Sequence, residues 1–252
     1  MRYCFHAPRD FGISLGFIVA FAFFGSVLRA DGPPADLIRR VAAREASDEE
    51  ARNSYTWRQT FVVEEFDSRG LATGRYRETR DILFSPEGKR TEQLTTKPSN
   101  TLRHISLTDE DFADLRDVQP LLLTTERLFM YESRFKGDEA VDGVDCWVIE
   151  VRPRQILAGQ RLFDGLIWVD QKDYAIVRSQ GVAVPQERGG KRENLFPRFT
   201  TTRQKIDGHW FPVSTLGDDT LYYRSGPQRE RLSVRYENYK RFSAESTIHF
   251  EQ

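Results

Sequence analysis

Tyr55–Phe66 reads YTWRQTFVVEEF, and its period decides the fold. Tyr55, Trp57, Phe61 and Val63 alternate with Thr56, Arg58 and Thr60. Neighbouring side chains on an extended strand point to opposite faces, so this spacing predicts an antiparallel strand with one face buried. Asp67-Ser68-Arg69-Gly70 supplies its turn. Residues 74–84 come back with Tyr76, Ile82 and Phe84 on one face, and Glu78 and Arg80 share that face. Pro86-Glu87-Gly88 then turns the chain into a further run at 89–96.

The same strand period continues downstream. Runs at 128–135, 144–151, 161–169, 174–184, 199–206, 210–216, 221–224 and 231–242 read as strands. Asp142-Gly143 and Asp207-Gly208-His209 mark hairpins, and the polar stretch 185–193 reads as a loop. Helical spacing occurs in two places. Leu37, Ile38, Val41 and Ala42 share a stripe within residues 37–52, where Ser47-Asp48-Glu49-Glu50 resembles a capping box and leaves two short helices open. Thr108-Asp109-Glu110-Asp111 begins a second stretch whose stripe is Phe112, Leu115 and Val118. Pro120 ends it, and Leu121-Leu122-Leu123 follows as either core or a lid over a cavity. Many strands joined by short turns, with few helices, predict a mainly β (α+β) protein: a strongly curved antiparallel sheet wrapping two or three helices.

The head of the chain carries a different signal. Arg2 and Arg9 precede an apolar stretch at 11–28, densest at Phe17–Phe24 (FIVAFAFF), and Ala30 precedes Asp31-Gly32-Pro33-Pro34. A basic, an apolar and a small-residue region in that order read as a secretory signal peptide over 1–30, with one domain over 31–252. The stretch is also long enough to serve as an uncleaved inner-membrane anchor. Export is therefore expected. Without residues 1–30 the chain holds 34 basic and 37 acidic side chains, no field for nucleic acid. Cys146 is then the sole cysteine, so no internal disulfide supports the fold, and its strand-like setting reads as a small buried hydrophobe.

No catalytic pattern holds up. Gly12-Ile13-Ser14-Leu15-Gly16 has the G-x-S-x-G form but lies in the targeting segment, outside any strand–turn–helix. His104, His209 and His249 lack metal-ligand spacing, so no metal is expected. Asp218-Asp219 and Glu64-Glu65 are strand neighbours that face opposite ways, and Asp170 and Asp173 read as turn residues. Gly189-Gly190 lacks the spacing of a phosphate loop. A non-enzymatic protein without cofactor is the reading that results. The aromatic strand positions point instead to packing or to an apolar cavity. By alternation, the residues expected to line such a cavity are Trp57, Phe61, Val63, Phe129, Tyr131, Phe135, Trp147, Ile149, Val234 and Tyr236. At about 0.8 kcal/mol per buried methylene, an acyl chain of roughly 14–16 carbons would bind there without charged anchors.

Gly143-Val144-Asp145-Cys146-Trp147-Val148-Ile149-Glu150-Val151-Arg152-Pro153 and Leu166-Ile167-Trp168-Val169-Asp170 with Tyr174-Ala175-Ile176-Val177-Arg178, behind an export signal and an N-terminal helix, resemble the periplasmic lipoprotein-carrier superfamily of LolA, LolB and the RseB sensor domain. More narrowly the chain is similar to bacterial outer-membrane lipoprotein-sorting proteins. The resemblance implies an incomplete β-barrel with helices as a lid over an apolar cavity. It implies a monomeric carrier of lipid or of an acylated lipoprotein in outer-membrane biogenesis, or alternatively an envelope sensor or adaptor that binds an inner- or outer-membrane protein. It also implies a strand arginine coupled to the lid, for which Arg58, Arg77 and Arg80 all stand in the expected region.

Overall fold

In the computed structural model the described residues are 32–85, 89–187, 193 and 195–242. The expected signal peptide with its G-x-S-x-G match, the turn at 86–88, Gly189-Gly190 and His249 lie outside them. Helix α1 (Leu37–Arg52) is followed by β1 (Tyr55–Phe66), β2 (Ala72–Phe84), β3 (Arg90–Leu94) and the short β4 (Ser99–Asn100). A brief helix α2 (Asp109–Ala113) runs into a π-helical turn (Asp114–Val118), and a 3-10 turn (Leu128–Met130) leads to β5 (Tyr131–Val141). Then come β6 (Val144–Pro153), β7 (Leu162–Asp170), β8 (Ile176–Val184), β9 (Phe199–Ile206), β10 (His209–Tyr223) and β11 (Gly226–Arg241).

These strands form one 11-stranded sheet in the order β3-β2-β1-β11-β10-β9-β8-β7-β6-β5, with β4 paired to β2. All the pairings are antiparallel. The last strand returns beside the first, but β3 and β5 remain at opposite edges, so the sheet stays an incomplete curved barrel. The Asp-Gly hairpins sit where the sequence places them. Asp142 and Gly143 have φ of 50° and 82°, and Asp207 and Gly208 have 49° and 89°, the left-handed pair that a two-residue turn needs.

Helix α1 spans the whole stretch read as helical and is a single 16-residue helix, which settles the alternative left open there. The Asp48 carboxylate within it is engaged by Arg44 at 3.0 Å and His209 at 2.8 Å. The structure departs from the sequence reading at two other points. The runs 210–216 and 221–224 fuse into β10, because Asp218 accepts hydrogen bonds from Arg229 and Arg231 of β11 at 2.8–3.1 Å and keeps the ladder going. Residues 128–130 form a 3-10 turn, so β5 begins at Tyr131.

The main core lies on the inner face. Phe61, Val63, Ile149, Ile167, Leu232 and Val234 from the sheet meet Leu37 and Val41 of α1 and Leu115, Val118, Leu121 and Leu123 of the segment behind α2. Burial of this kind contributes roughly 1.5–3 kcal/mol per large apolar side chain. A smaller cluster on the other face joins Val141, Cys146, Val148, Trp168 and Val177. Cys146 is fully buried, and burial pushes its thiol up to about 12. Asp170, the last residue of β7, and Asp173 bracket the turn, accepting from the Lys172 and Ala175 amides at 2.8 and 3.2 Å. No helix among the described residues is long and apolar enough to cross a membrane.

Candidate functional site

Residues 101–123 cross the inner face of the sheet, and their placement depends on two buried carboxylates. Glu65 of β1 is fully buried and accepts from the amides of Arg103 (2.8 Å), His104 (2.8 Å) and Ile105 (3.1 Å). The strand opposite leaves room for this because position 74 is glycine. A Cβ there would lie 2.5 Å from the Glu65 Oε1 and 2.6 Å from the Thr101 carbonyl. Further along, Asp114 of the π-helical turn is fully buried and accepts from Arg161. Between these anchors, Thr108 and Asp111 cap α2 reciprocally. The Asp111 amide donates to Thr108 Oγ1 at 3.3 Å, and the Thr108 amide to Asp111 Oδ2 at 2.7 Å.

A hollow of about 290 Å³ remains between this segment and the sheet. Its floor is Phe61 and Val63 of β1 with Leu232 of β11, and its walls are Ile105, Leu107, Leu195 and Phe196. Asp111, Glu193, Glu230 and Tyr223 add polar groups to the lining. Glu230 is buried and hydrogen-bonded to Tyr223. Desolvation, then the neighbouring Asp111 and Asp219 charges, push its carboxyl up to about 8, while the Tyr223 bond opposes the shift. Desolvation likewise raises Asp111. The shift favours the protonated form of Glu230 and so lowers the charge of the lining. His104, Ser106 and Ser225 also line the hollow, but among the described residues no side-chain hydrogen bond joins them into a nucleophile–base pair. No group of three or more metal-ligating side chains occurs among the described residues.

The residues that alternation nominated divide between several places. Phe61 and Val63 line this hollow. Trp57 and Tyr236 line a second one of about 160 Å³. Tyr131, Ile149 and Val234 are buried in the main core, and Trp147 is half-buried with its ring 5.7 Å from that of Tyr174. Phe129 is 75% exposed because the 3-10 turn breaks the strand period there. Phe135 is 40% exposed, since it stands on edge strand β5 at a bulge before Gly137. Neither lines the two inner hollows. The sequence reading passed over Leu107, Leu195, Phe196 and Glu230. Leu195-Phe196-Pro197 is an apolar triplet directly behind the polar loop, and Glu230 shares the period of Leu232, Val234 and Tyr236 once β11 is extended back to Gly226.

Of the arginines left open, Arg80 stands on the inner face. It pairs with Glu78 and Glu92 at 2.7 Å each, and its guanidinium lies 5.6 Å from the Phe112 ring of α2. Arg58 is bound to Asp81 at 2.8 Å at an exposed position, and Arg77 is exposed. Glu78, the charged residue noted on the inward face, also accepts from Tyr76 at 2.7 Å, so it is satisfied where it is buried. A broader depression of about 420 Å³ is lined by Val62, Leu216 and the nominated Val234 together with Thr60, Ser214, Ser233, Arg75, Arg77 and Arg235.

No family model matches the sequence, and no curated protein matches it. Solved structures do match. A DUF1329 family protein from Desulfovibrio piger is 13% identical, with 86% of this chain and 96% of that one covered at a TM-score of 0.41. A LolA superfamily protein from Nitrosomonas europaea is 15% identical over 87% and 99% of the two chains, TM-score 0.37. An outer membrane lipoprotein-sorting protein domain from Vibrio parahaemolyticus is 12% identical over 81% and 92%, TM-score 0.35.

Proposed function

We propose that this protein is a non-enzymatic envelope protein that holds an acyl chain, from a lipid or a lipoprotein, in the hollow above Phe61. The observation that carries the reading is the hollow itself, about 290 Å³, with Phe61, Val63 and Leu232 as its floor and Ile105, Leu107, Leu195 and Phe196 in its walls. Small-molecule pockets begin near this size, at about 300 Å³. At the ~30 Å³ that a water-sized group occupies in the liquid, roughly ten chain carbons fit. This is shorter than the chain expected from sequence, because Leu115, Val118, Leu121 and Leu123 fill the rest of the inner face.

Ten methylenes give a gross gain of about 8 kcal/mol, from which association entropy subtracts several. The net is a reversible grip suited to carriage. The test is extraction of the purified protein with organic solvent followed by mass spectrometry. Co-purifying acyl lipid at near one equivalent supports the reading, and a protein that is empty and fails to take up added decanoate or decanol overturns it.

A further inference from the structure

The second hollow, about 160 Å³, lies further back along the inner face of β1, at Trp57. Arg52, Arg90, Arg116 and Arg127 line it, and its carboxylates are Glu49 and Asp117, so positive charge is in excess. Among the described residues Arg52, Arg116 and Arg127 make no side-chain hydrogen bond or ion pair, and Arg90 pairs with Glu92 at 2.9 Å. Arg52 does stack over the Trp57 ring, 5.8 Å from its centroid. The most informative group is Trp57 itself. It is 6% exposed, and among the described residues its indole N–H has no hydrogen-bond partner; the buried Nε–H of Arg90 has none among them either. Buried donors are nearly always satisfied, so orphans of this kind at a cationic hollow mark a missing acceptor. Burial holds the Arg52 and Arg90 guanidinium groups below their ordinary range; Tyr239 and Glu49 oppose this at Arg52 and Glu92 and Asp117 at Arg90, while the cations Arg203 and Arg116 add to it. A bound anion would relieve both effects.

We propose that this hollow binds an oxyanion, a carboxylate or a phosphate, received by the arginine forks and the Trp57 indole N–H. Guanidinium geometry matches two oxygens of such a group. A narrow gap of about 20 Å³ lies between the two hollows, lined by Gln59, Phe61, Phe112 and Leu115 and by the charged Glu78, Arg80, Arg90, Glu92 and Arg116. The oxyanion is accordingly the head of an amphiphile whose chain runs toward Phe61. That extension rests on the chain-binding reading; the oxyanion site does not.

Calorimetry with the delipidated protein tests both, using decanoate, its neutral counterpart decanol, and inorganic phosphate, at low salt. Decanoate is expected to bind at least tenfold more tightly than decanol, and phosphate to compete with it. Arg116→Gln with Arg127→Gln, both at part-exposed positions, should abolish that preference and leave decanol affinity unchanged. Trp57→Phe, which keeps the ring and removes the N–H, should weaken decanoate alone. Thermal melts confirm that each variant folds. Equal affinity for decanoate and decanol overturns the oxyanion site and leaves chain binding standing. Phosphate binding that the arginine variants abolish, without binding of either decyl compound, upholds the site as one for a free anion and overturns chain binding. Failure of all three probes to bind overturns both.

Discussion

Glu45 Oε1 of α1 lies 2.6 Å from Arg203 Nη1 of β9, and both side chains are almost completely buried. Arg203 also donates through Nη2 to the carbonyls of Pro120 and Leu121 at 2.8 and 2.7 Å. One guanidinium therefore joins the helix, the sheet and the chain that leaves the π-helical turn. Burial raises the Glu45 carboxyl and the Arg203 charge opposes that shift. Removing one partner strands the other charge in the core. Arg203→Met is expected to cost about 3–5 kcal/mol in urea unfolding, and adding Glu45→Leu should recover much of it. A single variant as stable as the parent would show that the pair does not hold these elements together.

Glu65 makes a comparable connection to the segment that leads into the lining of the chain hollow. Its carboxylate receives the three successive amides of Arg103, His104 and Ile105. Glu65→Ala leaves those donors without their acceptor and is expected to cost about 1–3 kcal/mol. The effect should be local first: hydrogen exchange at 103–105 should accelerate while β6–β8 amides keep their protection. Gly74→Ala should produce the same signature, because its Cβ would press on the Glu65 Oε1 and on the Thr101 carbonyl. Unchanged exchange in both variants would mean that the segment is held by other contacts.

These two carboxylates also show where sequence reading works and where it stops. Alternation found β1 correctly, because a buried face imposes period two on every residue of a strand. Asp-Gly pairs located both hairpins, since few residues accept a left-handed backbone. Those are local constraints. The role of Glu65 depends on amides from a segment remote in sequence, and nothing within Glu64-Glu65 announces it. The same holds for Asp114 and Arg161. Phe129 was misplaced because a 3-10 turn and a strand are indistinguishable over three apolar residues, Leu128-Phe129-Met130. Phe135 has the inward phase of its strand, opposite Ile149, but alternation is blind to whether anything covers an edge. The chain hollow is bounded by residues from strands and loops far apart in sequence, and only Phe61 and Val63 of its floor were legible beforehand.

Glu230 should make the protein less stable as pH rises. Its carboxyl is pushed up to about 8 from an ordinary 4.5, chiefly by desolvation. The folded state thus keeps a proton that the unfolded chain releases, and stability declines across that interval and levels off above it. Glu230→Gln, which retains the Tyr223 contact without a charge, should be more stable than the parent by roughly 2–4 kcal/mol at pH 8 and nearly equal at pH 4. Decanol affinity should fall above pH 8 in the parent and stay level in Glu230→Gln. Parallel stability profiles for the two proteins would place this carboxyl in water, not in the lining of an apolar hollow.

Filling the hollow separates binding from folding. Val63 is 5% exposed and forms part of the floor beside Phe61. Phe61→Ala would be a poor test, because loss of a buried aromatic costs about 3–5 kcal/mol and confounds any loss of binding with unfolding. Val63→Phe adds volume into space that is already open, so the overpacking cost should stay near the low end of about 1–3 kcal/mol. If the ring removes room for about three methylenes, chain affinity drops by roughly 2.4 kcal/mol, on the order of fiftyfold. Decanol titration at fixed temperature reads this directly, and a thermal melt controls for folding. A folded Val63→Phe protein that binds decanol as well as the parent would place the chain elsewhere, whereas the combined outcome of retained fold and lost affinity is one that a purely structural role for Val63 does not produce.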